Sequence, residues 1–353
     1  MKKTLVFILI LMQILFFFGC DEGMSIENNV KRIFPYSVLL EDGTLWGCAY
    51  NEVERCTQLI KIDESVMDTS MGVLNIKEDG GLYIPQSFYD KSFLDKSLIE
   101  WGAPESKIMD DVLSVGSNTQ MYYAIKKDYT LWAWGSTEYM EKTWGSSVIE
   151  GYPVKVMDKV RAAAITPFGF QVMVIKTDDS LWGRNIFGIY GTEVGHEKPV
   201  GLIRFMEEVS YADFACSGTN SYAIDAASRL WIFGGGFSAE LIPGLDELQL
   251  SEFSWEDTRL LLDDSVLDVI CRWQSVLYLK KDGTLWAIGK NGDGELCSNK
   301  SSFDKSTKVM DDVFKIGGDS SRTLLQKKDG TIWGFGSDFG GIMSGGCRVD
   351  LKN

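Results

Sequence analysis

Asp-Gly-Thr-Leu-Trp occurs at residues 42–46 and again at 282–286, and Asp-Gly-Thr-Ile-Trp occurs at 329–333. Aligning the chain on the closing aromatic brings out four weaker copies. The anchors are then Trp46, Tyr83, Trp132, Trp182, Trp231, Trp286 and Trp333. An aliphatic residue precedes every anchor: Leu45, Leu82, Leu131, Leu181, Leu230, Leu285 and Ile332. Four residues before the anchor stands Asp42, Asp79, Asp128, Asp178, Asp282 or Asp329, and only Ala227 breaks that column. Asp-Gly marks a tight hairpin, because both residues tolerate the positive φ such a turn demands. Each copy therefore reads as a strand, a turn and a second strand.

Working outward, further short apolar stretches lie between the hairpins. Val154-Lys155-Val156-Met157-Asp158 runs into residues 160–165, and Lys308-Val309-Met310-Asp311-Asp312 runs into residues 313–316. Successive anchors are 37 to 55 residues apart, about the length that four short strands and their turns require. A lone four-stranded sheet cannot bury both faces, but seven packed radially bury a continuous core and protect their edges. The expected fold is an all-β seven-bladed β-propeller with four-stranded blades over residues 26–353. The ring should close through the C-terminal strand joining the N-terminal blade. On this reading Val349 and Leu351 complete the sheet that holds residues 26–46.

The same residues resemble the regulator-of-chromosome-condensation repeat family. One family phrase, Ala-Cys-Gly-x-x-His-Ser-x-Ala-Leu, is matched by Ala215-Cys216-Ser217-Gly218-Thr219-Asn220-Ser221-Tyr222-Ala223-Ile224. Another, Trp-x-x-Gly-x-Asn-x-x-Gly-Gln-Leu-Gly, is matched by Trp286-Ala287-Ile288-Gly289-Lys290-Asn291-Gly292-Asp293-Gly294-Glu295-Leu296-Cys297. The family's recurrent His, eleven residues before the anchor, is absent, and Pro35, Gly72, Met121, Gln171, Asn220, Ser275 and Arg322 stand there instead. The resemblance implies a seven-bladed ring and a binding role. The eukaryotic founder acts on a small nuclear GTPase and binds chromatin, whereas a secreted bacterial relative grips an enzyme with its propeller face. The address of this chain fits the second pattern.

That address is read from the N-terminus. Lys2 and Lys3 precede an apolar run over residues 5–18 that only Gln13 interrupts, and Gly19-Cys20 follows. The run has the length of a signal-peptide core and falls short of the roughly 20 residues that span a bilayer. Gly before Cys at its end resembles the lipobox of bacterial lipoproteins, with Phe17 where that box usually has Leu. The expectation is a signal peptide over residues 1–19, diacylation at Cys20, a tether over residues 20–25, and residence on the outer face of the cytoplasmic membrane. The chain carries 50 acidic against 35 basic residues, a net charge of −15. Such a surface repels phosphate backbones and anionic headgroups, so nucleic acid is excluded and the acyl chains alone supply membrane attachment. Export permits disulfides, and Cys48 with Cys56, or Cys297 with Cys347, could pair.

Catalytic signals are sparse. The single histidine, His196, lies in a Gly-rich charged stretch, and no Gly-x-Ser-x-Gly motif accompanies it, which argues against His-assisted nucleophilic catalysis and His-based metal sites. No catalytic residue, metal or cofactor is expected. The Asp column is explained by turn chemistry, and residues 291–295, which faintly resemble a calcium loop, are explained by the family's own turn. The anchor aromatics read as core between blades. Trp101, Trp144, Trp255 and Trp273 lie outside the anchor column and are candidate partner contacts, because loop aromatics favour interfaces; packing of the loops onto the ring is the simpler alternative. The chain is thus expected to be an exported protein-binding scaffold or inhibitor. Carbohydrate or cell-wall binding is the alternative, and a carboxylate-based polysaccharide hydrolase or lyase comes third.

Overall fold

The computed structural model describes residues 30–34, 37–48, 58–70, 74–84, 107–118, 120–144, 152–165, 172–183, 202–214, 220–234, 260–272, 274–319, 321–337 and 346–352. The expected signal segment, Cys20 and the tether lie outside them. Seven four-stranded antiparallel blades form a ring. Blade 4 shows the plan: Val160–Ile165 pairs with Val172–Lys176, which pairs with Leu181–Gly183, which pairs with Ile203–Met206. The blades comprise residues 30–63, 66–109, 112–157, 160–206, 209–263, 266–310 and 313–352. The first strand of each blade lies innermost, and Val313–Gly318 adjoins Val30–Ile33 to close the ring.

The core lies between the blades. Tyr222, Leu230 and Ile232 of blade 5 pack with Val269, Val276 and Tyr278 of blade 6 in one buried cluster. Each such leucine or valine contributes about 2 kcal/mol when fully withdrawn from water. A blade removed from its neighbours would expose both faces, which is why the repeats stand only together.

The C-terminal strand Cys347–Lys352 does join the N-terminal blade. Asp350, Leu351 and Lys352 run parallel to Gln58, Leu59 and Ile60. The division of labour along that strand differs from the sequence expectation. Val349 pairs with Ile332 and so completes blade 7, while only Leu351 and its neighbours reach blade 1. Blade 1 already owns four strands within residues 30–63. The reason is a shift of one strand in the repeat boundary. Stretches such as Val154–Met157 are the outer strand of the blade before, because the next two residues form a tight turn that crosses to the following blade.

One end of the ring carries the seven hairpins of the Asp column. In the hairpin of blade 1, Thr44 donates from its backbone N (2.9 Å) and its Oγ1 (2.7 Å) to Asp42 Oδ1, and Trp46 Nε1 donates to Thr44 Oγ1 (2.8 Å). The relay from Asp to Thr or Ser to Trp recurs at Asp128, Asp178, Asp282 and Asp329. Blade 2 has Gly81 in the hydroxyl position, and there Tyr83 reaches Asp79 directly (2.7 Å). Blade 5, where Ala227 breaks the Asp column, uses Asp225 instead, which accepts from Arg229 and from Trp231 Nε1 (2.9 Å). The residue after the Asp column has positive φ in all seven blades. Four are glycine, and Tyr129, Asp179 and Ser228 hold φ 63 each.

Two-residue connections between blades share this end. Val66 N–H, just after the first of them, donates to Gly43 O (2.8 Å), and Glu78 N–H donates to Ser65 O (3.2 Å). Val112, Val160, Val209, Val266 and Val313 repeat the first of these bonds onto the preceding hairpin. A belt of backbone hydrogen bonds thereby ties the hairpins of blades 1 to 6 to the blade that follows each. The strands that flank every other connection, including those on either side of residues 85–106, 184–201 and 235–259, stop at the opposite end.

Candidate functional site

Every inner strand carries a β-bulge one residue after its first valine. The register shifts fall between Val30 and Arg32, Val66 and Asp68, Val160 and Ala162, Val209 and Tyr211, Val266 and Asp268, and Val313 and Lys315. In blade 3 the shift bypasses Leu113. A bulge turns one side chain out of the ladder, so Lys31, Met67, Leu113, Arg161, Ser210, Leu267 and Phe314 are presented around the channel mouth at the turn end. Four of them are large, apolar and open to solvent: Met67 at 47%, Leu113 at 46%, Leu267 at 55% and Phe314 at 41%. Lys31 Nζ donates to Met67 O (2.7 Å), and Arg161 donates to Val209 O and Ser210 O.

The next position along the inner strand is polar in six blades, as Arg32, Asp68, Ser114, Tyr211, Asp268 and Lys315, and is Ala162 in blade 4. Arg32 Nη1 meets Asp68 Oδ1 at 2.7 Å between blades 1 and 2. The Arg32 side chain is 54% exposed, so solvent enters the channel and the pair contributes about 1 kcal/mol or less. Lys315 Nζ donates to Val30 O and Lys31 O across the ring closure. Crowding by the surrounding protein raises the Asp268 carboxyl to about 6, against the pull of the Val269 N–H and of Arg32. Burial likewise raises Asp68 despite the Arg32 charge beside it. Tyr211 Oη donates to Asp213 Oδ2 at 3.4 Å, and burial drives the Tyr211 phenol far upward. Chemically this is a charge-lined passage with phenols held neutral.

The sequence candidates are distributed unevenly. Trp101, Trp255, Trp273 and His196 lie outside the described residues, in connections whose flanking strands all meet the loop end. Trp144 closes the helix Thr137–Trp144 and packs, half-buried, against a cluster containing Met140 and Val160. Its role there is to seat the helix on the ring. Five anchors lie between blades: Trp46 shares a cluster with blade 7, and Trp182, Trp231, Trp286 and Trp333 each pack against a cluster that includes the preceding blade. Trp46 is buried, but Tyr83, Trp132, Trp182, Trp231, Trp286 and Trp333 are only half-buried. Their polar edges are held by the turn, and cations cover several faces, as with Lys280 at 4.9 Å from the Trp286 ring centroid. Interblade packing accounts for the large ring, and the turn relay accounts for its polar hydrogen.

Cys297 is a buried free thiol, so the pairing with Cys347 does not form. Cys297 packs with Leu296 and Phe303, whereas Cys347 lies against the cluster of blades 7 and 1. Cys56 lies outside the described residues, and the pairing with Cys48 goes with it. The stretch 291–301 is fastened by Asn291. Its Nδ2 donates to Ser298 O and Lys300 O, and its Oδ1 accepts from Leu296 N–H. Those bonds use the side chain that a calcium loop would turn toward an ion. Among the described residues, no three His, Cys, Asp or Glu side chains are grouped to hold a metal, and no helix is long and apolar enough to cross a membrane. Sequence reasoning missed the bulge ring. Its signal was the residue after the valine that follows each acidic turn.

No protein-family model matches the sequence, and no curated protein does. Solved structures match the fold. Prp20p from Saccharomyces cerevisiae, studied for its binding to Gsp1p and histones, superposes with a TM-score of 0.57 at 16% identity over 79% of this chain and 74% of that one. Yeast RCC1 (Prp20) bound by Kap60 gives 0.55 at 16% identity, covering 79% and 72%. Human WBSCR16 gives 0.50 at 15% identity, covering 72% and 69%. Likeness at such identity speaks for architecture alone: the chain folds as an RCC1-like seven-bladed β-propeller.

Proposed function

We propose that this chain is an exported scaffold, anchored to the membrane through Cys20, whose loop end binds a protein partner. One observation carries the reading. The Asp-column hairpins and blade-to-blade belts occupy one end of the ring, and the strands that flank the longest connections, whose sequences carry Trp101, Trp144 and Trp255, stop at the other. Loops on a rigid scaffold are the common site of recognition, since they vary without disturbing the core. Val30 opens the first inner strand at the turn end. A lipid at Cys20 would therefore hold that end toward the bilayer and leave the loops facing away. Prp20p supports a protein partner by analogy, because its structure was studied for binding to Gsp1p and histones.

The test is cross-linking on intact cells with the full chain, beside Cys20→Ser and Trp255→Ala. The reading expects Cys20→Ser to leave the membrane fraction. It expects Trp255→Ala to keep its melting temperature and lose the captured protein. Retention of polysaccharide in place of protein would substitute carbohydrate binding. Product release from polysaccharide, abolished by removing two facing carboxylates, would substitute hydrolysis. Unfolding of Trp255→Ala without specific loss of partner would return that residue to a packing role.

A further inference from the structure

The channel holds polar groups that the fold does not require, since Ala162 serves at the same position in blade 4. Blades 3 and 4 place only Ser114 and Ala162 there, so the channel wall is low on that side. Larger groups flank the gap, Arg32 and Asp68 on blades 1 and 2 and Tyr211 and Asp268 on blades 5 and 6. Their bonding is incomplete. Arg32 meets Asp68 through Nη1 alone, and its guanidinium lies 5.0 Å from the Phe34 ring centroid. Among the described residues, Arg32 Nε and Nη2 have no acceptor. Asp268 Oδ1 accepts from Val269 N–H (2.8 Å), while Oδ2 has neither a donor nor a cation in ion-pair range among the described residues. Lys315 does not supply one, because its Nζ is held by Val30 O and Lys31 O. Tyr211 leaves its ring 39% exposed.

These groups face one space. Electrostatic interactions link Arg32 to Tyr211, Tyr211 to Asp268 and Asp268 to Arg32, yet Arg32 pairs directly with Asp68 and not with Asp268. A polar atom left without a partner in a confined passage is costly, and a few convergent polar groups beside aromatic surface in a concavity are what a small-molecule site offers. Here both signs are on offer. A simple anion would meet Asp68 and Asp268, and a simple amine would leave the open edge of Arg32 unused. We propose that the channel binds a small zwitterion of amino-acid type, with its carboxylate on the open edge of Arg32, its ammonium on Asp268, and an apolar or aromatic side chain against Tyr211 and the low wall at Ser114 and Ala162. The site is separate from the loop-end surface proposed above. It holds whether or not Cys20 carries lipid.

The probes are L-phenylalanine and L-leucine, each titrated by calorimetry onto the full chain. Phenethylamine, which lacks the carboxylate, and hydrocinnamate, which lacks the ammonium, serve as comparisons. Both amino acids should bind, and each comparison compound should bind about tenfold or more weakly than phenylalanine. Asp268→Asn removes the charge that receives the ammonium, and Arg32→Lys keeps a charge but loses the planar edge. Each should weaken phenylalanine by about tenfold or more. Asp268→Asn should spare hydrocinnamate, and Arg32→Lys should spare phenethylamine. Ala162→Phe fills the gap without touching a charge and should abolish binding while the chain still melts cooperatively. Absence of heat from both amino acids would overturn the proposal. So would phenethylamine binding as tightly as phenylalanine, which would leave a site for cations alone. Binding that survives both Asp268→Asn and Ala162→Phe would place the amino acid outside the channel and overturn it as well.

Discussion

The hairpin at Asp282 and the connection at Asn291 belong to the same blade and sit at opposite ends of it. At Asp282 the turn is held by a relay that six other blades build in some form, and its Gly283 O accepts from Val313 of the next blade. At Asn291 a single side chain gathers eleven residues, and its bonds all stay within its own blade. Blade 3 answers the same place in the fold with the helix Thr137–Trp144. The turn end joins blades by one repeated belt. At the loop end the ties are individual: Arg272 donates to Asp319 O and Arg322 O, and Thr323 Oγ1 donates to Glu295 O, between blades 6 and 7. The turn end is therefore uniform, and the loop end is free to differ from blade to blade.

The largest way to break this contrast is to remove residues 347–353. The loss takes the outer strand of blade 7, buried Val349 and the parallel pairing to Leu59. Several kcal/mol should go with it, seen as a melting temperature lower by about 5 °C or more. A shift of a degree or less would mean that the ring does not depend on its closure. Next comes the channel, which separates the two ends. Asp268 has a folded value of about 6 against 3.8 for the free side chain, so its contribution is lost as pH rises from about 4 through 6. Asp268→Asn should raise stability at pH 7 by about 1–2 kcal/mol, after allowance for solvent in the channel. Below about pH 4 the advantage should vanish in a pH series of urea melts.

Smaller effects sharpen the comparison. Thr284→Val leaves the Trp286 indole N–H without its acceptor and should cost about 1 kcal/mol. Trp255→Ala, if that residue serves a partner as proposed, should cost less than half as much by the same denaturant melts. Tyr129→Gly relieves a left-handed backbone at φ 63 and should stabilise by about 1 kcal/mol. Gly283→Ala should act in the opposite sense, since its φ is 89 and the new Cβ would meet Lys328 Nζ at 2.4 Å. The turn carboxyls titrate in the direction opposite to Asp268. Hydrogen bonds from Tyr83 and Gly81 hold Asp79 near 2, and hydroxyl and backbone donors hold Asp128, Asp178, Asp282 and Asp329 below the usual range. Their support is complete above about pH 4 and is lost as pH falls through the folded values. Protection of the turn-end amides, taken relative to their intrinsic exchange rates, should fall first on acidification, and replacing Asp329 with Asn should flatten that response.

Much of this was legible in the sequence because the turn end is written in local code. Asp, Thr and Trp at alternate positions form one hydrogen-bonded relay, so a spacing of four residues announced both the turn and the count of blades. The cut between blades was less legible. Val154–Met157 and Val160–Ile165 read as neighbours in one sheet, but the positive φ at Lys159 sends them into different blades. Cys297 and Cys347 fall at matching points of their repeats, yet burial assigns them to separate clusters. The four exposed apolar bulge residues were invisible as a group for a similar reason. Met67 and Phe314 lie 247 positions apart in the chain and become members of one rim only through ring closure.

The direct test is native-state hydrogen exchange read at six amides, those of Val66, Val112, Val160, Val209, Val266 and Val313, which bind each blade to the hairpin before it. If the belt makes one cooperative ring, all six exchange together at the rate of global unfolding. Exchange in separate groups, with some blades opening while others stay protected, would contradict it.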